Sequence, residues 1–191
     1  MRIKSILAGL AVTIVIAVTA WVVWKNITPE SAPLPPAAIG RKQVFHPVPA
    51  PNASFLVNGK QDYLSQYRGH KIILWLYSTW CSSCAEGLHA LQKKRSELAR
   101  DGVTLIALDN YRNDGYSGPT VKEFTSRFAP SLEDVQGVVL GTATKDLRNI
   151  YNSKEYPDIY YLINAKGMVK VISSSPDSSM QTILHFARTG Q

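Results

Sequence analysis

The chain has 191 residues, a length that suits one folded domain with an appendage. Its formal charge of +7 invites a nucleic-acid reading, but five of the 21 basic residues and one of the 14 acids lie before residue 53, and the remainder is nearly balanced. No helix or strand in that remainder carries a dense basic stripe with interleaved aromatics, so nucleic acid is not an expected partner.

The first predicted element is a membrane anchor, residues 1–25. Ile6 to Trp24 is nineteen residues without a charge, long enough to cross a bilayer as a helix. Arg2 and Lys4 precede it, which keeps the N-terminus cytoplasmic and exports the chain beyond Lys25. Trp21 and Trp24 fall where interfacial aromatics belong. A cleaved signal peptide competes, but Val18-Thr19-Ala20 is a weak cleavage site and the apolar run continues past it. Both readings place the rest in the periplasm or another extracytoplasmic space, where disulfides persist. Residues 26–52 shift to Pro, Ala and Ser, with Pro33-Leu34-Pro35-Pro36 and Pro47-Val48-Pro49-Ala50-Pro51, and read as an extended spacer.

The folded domain is expected over residues 53–191. Phe55-Leu56-Val57, Asn58-Gly59 and Lys60 suggest a short hairpin, and Leu64, Tyr67 and Gly69 lead to a central strand near Lys71–Ser78. Next comes Trp80-Cys81-Ser82-Ser83-Cys84, which holds both cysteines of the chain. A helix is predicted from Ala85 to Arg100, with Leu88, Leu91 and Leu98 on its buried face and Lys93-Lys94-Arg95 on its solvated one.

A Cys-x-x-Cys where a strand hands over to a helix carries a mechanism. Unpaired N–H groups and partial positive charge at a helix start favour an anion, and the thiolate is the attacking species. Cys81 would attack a disulfide, and Cys84, three residues on, would resolve the mixed disulfide. A purely structural disulfide would close too short a loop to constrain the unfolded chain. Zinc would need ligands from His46, His70, His89 or His185, none of them firmly placed. Two inert buried cysteines are the remaining alternative.

Val103 to Leu108 reads as a buried parallel strand, completing a right-handed strand–helix–strand unit. After a polar loop, Asn110 to Gly118, Pro119 is expected to open a helix that turns Val121, Phe124 and Phe128 inward. Val138-Val139-Leu140 is a weak extended piece and Lys145–Tyr151 a short helix. Ile159–Ile163 and Met168–Ile172 form the clearest hairpin, across Asn164-Ala165-Lys166-Gly167. A closing helix over Ser178–Arg188, capped by Asp177, would bury Met180, Ile183, Leu184 and Ala187.

The Trp-Cys-x-x-Cys in this element order resembles thioredoxin-like proteins, and within them the membrane-tethered TlpA/ResA/DsbE-like branch, over about Ala53 to Ser173. The resemblance implies an α/β thioredoxin fold, a mixed sheet flanked by helices. It also implies that Pro157 is a cis-proline facing the cysteines, with Tyr156 beside it touching substrate. Thioredoxins carry a buried Asp where this chain has Trp75, and TlpA-like proteins often carry a Glu where it has Gly87. Glu86 is expected in solvent, Glu155 as a loop acid and His89 at the surface, so Cys84 is left without an assigned base.

The expected function is therefore an extracytoplasmic thiol–disulfide oxidoreductase, acting more as a reductant than as an oxidase or isomerase. Cys81 and Cys84 would be catalytic, with Trp80, Tyr156 and Pro157 binding substrate. No metal or organic cofactor is expected, because the electrons reside on the cysteine pair. Partners would be a protein thiol or disulfide and a membrane redox protein that resets the pair. A non-enzymatic module holding copper or an unfolded client is the alternative from another class. A peroxidase fits less well, since Ser78 stands three residues before Cys81 where a Thr-x-x-Cys would be required.

Overall fold

The computed structural model describes residues 47–191. The anchor and most of the spacer expected before them lie outside the described residues. Among the described residues, no helix is long and apolar enough to cross a membrane.

Strand β4 (Lys71–Tyr77) is the centre of the molecule, and its sequence Lys-Ile-Ile-Leu-Trp-Leu-Tyr explains why. A strand's side chains alternate between faces, so the run from Ile72 to Tyr77, apolar at every position, suits a strand covered on both sides. Ile73, Trp75 and Tyr77 join one buried cluster, and Ile72, Leu74 and Leu76 the other. Strand β5 (Val103–Asp109) pairs with β4 in parallel, Tyr77 opposite Asp109. The helix between them, α1 (Ser82–Arg100), covers the first face with Cys84, Leu88, Leu91 and Leu98.

The sheet grows outward from that pair. β6 (Val138–Ala143) continues it in parallel beyond β5, and β2 (Ser54–Val57) and β3 (Lys60–Tyr63) close that side antiparallel. On the other side, β7 (Asp158–Ile163) runs antiparallel to β4, with Tyr77 opposite Asp158. β8 (Met168–Ser173) is next, and then β1 (Val48–Pro49), giving eight strands among the described residues in the order β1-β8-β7-β4-β5-β6-β2-β3. Helices α2 (Val121–Phe128) and α4 (Met180–Thr189) contribute Phe124, Ile183, Leu184, Phe186 and Ala187 to the face that α1 covers. Helix α3 (Lys145–Tyr151) places Leu147 and Tyr151 on the opposite face, with Phe55 and Leu64.

Four boundaries differ from those expected. The folded body starts before Ala53: Val48 and Pro49 pair with Val169 and Met168 at the sheet edge, a position where a proline's missing N–H costs no ladder bond. α1 begins at Ser82, so Cys81 itself is the N-cap. α2 is opened by Thr120, not Pro119, through a capping box: Thr120 Oγ1 accepts from Glu123 N, and Glu123 reaches back to Thr120 N. Asp177 does not cap α4; the Ser178 and Ser179 N–H groups instead donate to the Ser175 carbonyl in the turn before it.

β6 crosses β2 at Gly141, where a Cβ would stand 2.2 Å from the Leu56 carbonyl oxygen. Gly141→Ala should therefore push the two strands apart and lower unfolding free energy by about 2 kcal/mol or more, measured by urea denaturation.

Candidate functional site

The end of β4 turns directly into α1, and this turn carries the cysteines. Cys81 N donates to the Ser78 carbonyl at 3.0 Å, which closes the turn and sets Cys81 at the helix start. Both cysteines are free. Cys81 keeps 7% of its surface exposed and Cys84 none, so Cys81 is the more accessible sulfur. Ser83 Oγ lies 3.1 Å from Cys81 Sγ, placed to donate to a thiolate there. Cys84 donates its S–H to the Pro157 carbonyl at 3.2 Å. Burial above all, and then its bond to the Cys81 sulfur, pushes the Cys84 thiol well above its ordinary range.

Pro157 thus meets Cys84, and its carbonyl also accepts from Ser78 N at 3.0 Å. The peptide bond before it is trans, however, not cis. Its placement comes from two buried amides. Asn152 Nδ2 and Asn110 Nδ2 donate to the Tyr156 carbonyl at 2.8 and 3.1 Å, and Tyr156 N donates to Asn152 Oδ1 at 2.8 Å. The two amides are joined at 2.9 Å. Both backbone groups of Tyr156 are therefore occupied within the chain, and what it offers outward is its ring, 47% exposed.

A second clamp holds the other side of the turn. Residues Arg112, Asn113 and Asp114 are all left-handed, with φ of 54, 52 and 55°. This tight coil aims Asn113 Oδ1 at Thr79 N (2.9 Å), its carbonyl at Trp80 Nε1 (3.1 Å), and Asp114 at Ser78 Oγ (2.5 Å). Trp80 is 42% exposed and packs on Tyr116 with ring centroids 4.8 Å apart. Trp80, Tyr116 and Tyr156 are thus exposed aromatics on the segments that frame the cysteines.

Beneath the cysteines the departures at Trp75 and Gly87 turn out to be one feature. Trp75 is fully buried, and a Cβ on Gly87 would stand 3.0 Å from its ring and 3.2 Å from Pro176. The indole therefore occupies the space that a residue-87 side chain would need. Its Nε1 donates to Asp158 at 2.8 Å. Glu86 and His89 are exposed, as expected, and Glu155 pairs with Arg148 at 2.9 Å. The residues missed from sequence are the asparagines 110, 113 and 152 and the acids 109, 114 and 158.

Asp109, Tyr77 and Asp158 form a row across β5, β4 and β7, on the face that α1 covers. Burial, followed by the charge of Asp114, pushes the Asp109 carboxyl up to about 7 against the pull of its backbone hydrogen bonds. A cavity of about 790 Å³ opens beside Asp109 between β2, β6 and the start of α2, but neither cysteine lines it. Of the two cysteines only Cys81 meets the surface, through its 7% exposure.

The pattern of the AhpC/TSA family matches residues 47–172. The chain is 24% identical over 88% of its length to the thioredoxin-like protein YneN of Bacillus subtilis, covering 89% of that protein. It is 29% identical to the thiol-disulfide oxidoreductase ResA of Geobacillus kaustophilus, over 61% of each chain. A thiol:disulfide interchange protein of the thioredoxin family from Chlorobium tepidum superposes with a TM-score of 0.53 at 21% identity, covering 73% of this chain and 98% of that one. These likenesses agree with the resemblance drawn from Trp80-Cys81-Ser82-Ser83-Cys84, and the thioredoxin-like fold is common to them.

Two outcomes are expected. Asn152→Ala, which leaves Tyr156 N and part of Asn110 unpartnered inside the protein, should cost roughly 2–3 kcal/mol in a urea titration. Asp109 takes up its proton more readily folded than unfolded, so stability is greatest below the unfolded value near 4 and is lost as pH rises to about 7. Asp109→Asn should remove that fall and leave the protein more stable than wild type at pH 8, measured by thermal melts across pH.

Proposed function

The chain belongs to the AhpC/TSA family, and we propose that it works there as a reductant of protein disulfides on the far side of a membrane. Its thiol–disulfide oxidoreductase class is that of the ResA relatives it matches. One observation carries the reading: a cysteine at the N-cap of a helix, slightly exposed, three residues before a fully buried one. Cys81 attacks the substrate disulfide, forming a mixed disulfide and expelling one substrate thiolate. Cys84 then attacks Cys81 Sγ, closing the internal disulfide and releasing the second substrate thiolate.

The substrate docks against Trp80, Tyr156 and Pro157. Trp80 and Tyr156 offer half-exposed rings, and the Pro157 carbonyl holds Cys84 until resolution. No metal or organic cofactor enters, because two electrons move between sulfur pairs. The reductant direction rests on the likeness to the TlpA/ResA/DsbE-like branch. The membrane tether and the extracytoplasmic location rest on the uncharged run Ile6–Trp24 behind Arg2 and Lys4. A protein facing that compartment needs a membrane redox partner to return Cys81–Cys84 to the dithiol.

Equilibration in dithiothreitol buffers tests the direction: a potential near or below about −270 mV is expected, and one near about −120 mV would make the protein an oxidant. Cys84→Ser should accumulate the mixed disulfide with a substrate protein on non-reducing gels. Cys81→Ser should form none and lose insulin-reducing activity.

A further inference from the structure

Resolution requires Cys84, the more deeply buried thiol, to lose its proton. Its S–H points at the Pro157 carbonyl, which cannot take that proton. The next residue in the chain is Asp158. Asp158 lies directly opposite Tyr77 in an antiparallel pair, so both side chains leave the sheet on one face. That face is the one α1 covers with Cys84. Two donors fix the carboxylate: Trp75 Nε1 at 2.8 Å on Oδ1 and Ser175 N at 3.0 Å on Oδ2.

We propose that Asp158, oriented by Trp75 and Ser175, is the base that takes the Cys84 proton during resolution. The inference rests on the oxidoreductase reading of the cysteine pair. In the step, the S–H bond of Cys84 breaks and its proton passes to the Asp158 carboxylate. The Cys84 thiolate forms a bond to Cys81 Sγ, the bond from Cys81 to the substrate sulfur breaks, and that sulfur leaves as a thiolate. Cys81 and Cys84 are oxidised together by two electrons, and the two substrate sulfurs gain them. The Asp158 proton is then released to water or to the departing thiolate.

The surroundings favour this acid over its neighbour. The titratable groups that act on or through Cys84 are Cys81, Tyr77 and Asp158; Asp158 follows directly on Pro157, whose carbonyl bonds Cys84 Sγ, and its negative charge raises the Cys84 thiol further. Asp109, on the far side of Tyr77, acts on the Tyr77 hydroxyl instead. Burial raises the Asp158 carboxyl, assisted by the charge of Asp177, while the bonds from Trp75 and Ser175 oppose the rise. A carboxylate raised in this way is a better proton acceptor for a thiol than an ordinary surface one.

The test uses the reduced full-length chain and 5,5′-dithiobis(2-nitrobenzoate). Attack by Cys81 releases one nitrothiolate, and attack by Cys84 on the resulting mixed disulfide releases a second, both monitored by absorbance. Asp158→Asn is expected to slow the second release at least about tenfold at pH 7, and to make it climb about tenfold per pH unit, with the first release unchanged. Asp158→Glu should recover part of the rate. An unchanged second release overturns the proposal. So does equal slowing of both releases with no change in pH profile, which marks a structural role. Should the wild-type chain release only one equivalent, no Cys81–Cys84 disulfide forms; the oxidoreductase reading fails and the proposal with it.

Discussion

One carbonyl oxygen joins the three segments on which the site depends. Pro157 O accepts from Ser78 N, at the end of β4, and from Cys84 Sγ, in the first turn of α1. Its own residue leads into β7. A buried hydrogen bond contributes only about 1 kcal/mol net, but leaving a buried donor unpaired costs more, so the segments are held in one arrangement more by the cost of separating them than by attraction. The surrounding polar groups serve the same end. Asn110 and Asn152 fix the residue before Pro157, and the left-handed coil at residues 112–114 fixes Thr79 and Trp80.

Beneath this junction the chain has substituted shape for charge. Trp75 is fully buried against α1, where a Cβ on residue 87 would press to 3.0 Å from the indole. The indole N–H then needs a partner, since a buried polar group without one is costly. Asp158 provides it from the adjacent strand. A tryptophan, a glycine and an aspartate spread over β4, α1 and β7 thus act as one unit, and altering any of them disturbs the surroundings of Cys84.

The elements built from hydrophobic periodicity were legible in the order of residues. The unbroken apolar run of β4, the Leu88–Leu91–Leu98 stripe of α1 and the β7–β8 hairpin all appear where their patterns put them. The cysteine pair was legible because its meaning lies in two residues and their spacing. What escaped was set by contacts between distant segments. Nothing local marks Asn152 as a partner of Asn110, 42 positions away, or Asp158 as a partner of Trp75, 83 positions away. The left-handed coil at 112–114 was likewise hidden, because Arg112 has no preference for that conformation. Pro157 was expected in cis through resemblance alone, and its trans bond sits with amides around Tyr156 that the resemblance did not describe.

The outer strands have a bearing on how such a protein meets other chains. An enzyme that exchanges disulfides must let foreign polypeptide come within bonding distance, and any free strand edge would invite that polypeptide to join the sheet. β1, at one end of the sheet among the described residues, holds Pro49, with Pro47 just before it, so two amide donors are missing there. β3, at the other end, offers Lys60-Gln61-Asp62-Tyr63, a short strand with a charge near each end. Both margins are poor templates for annealing, which confines productive encounters to the sulfur-bearing surface and keeps a visiting chain free to depart.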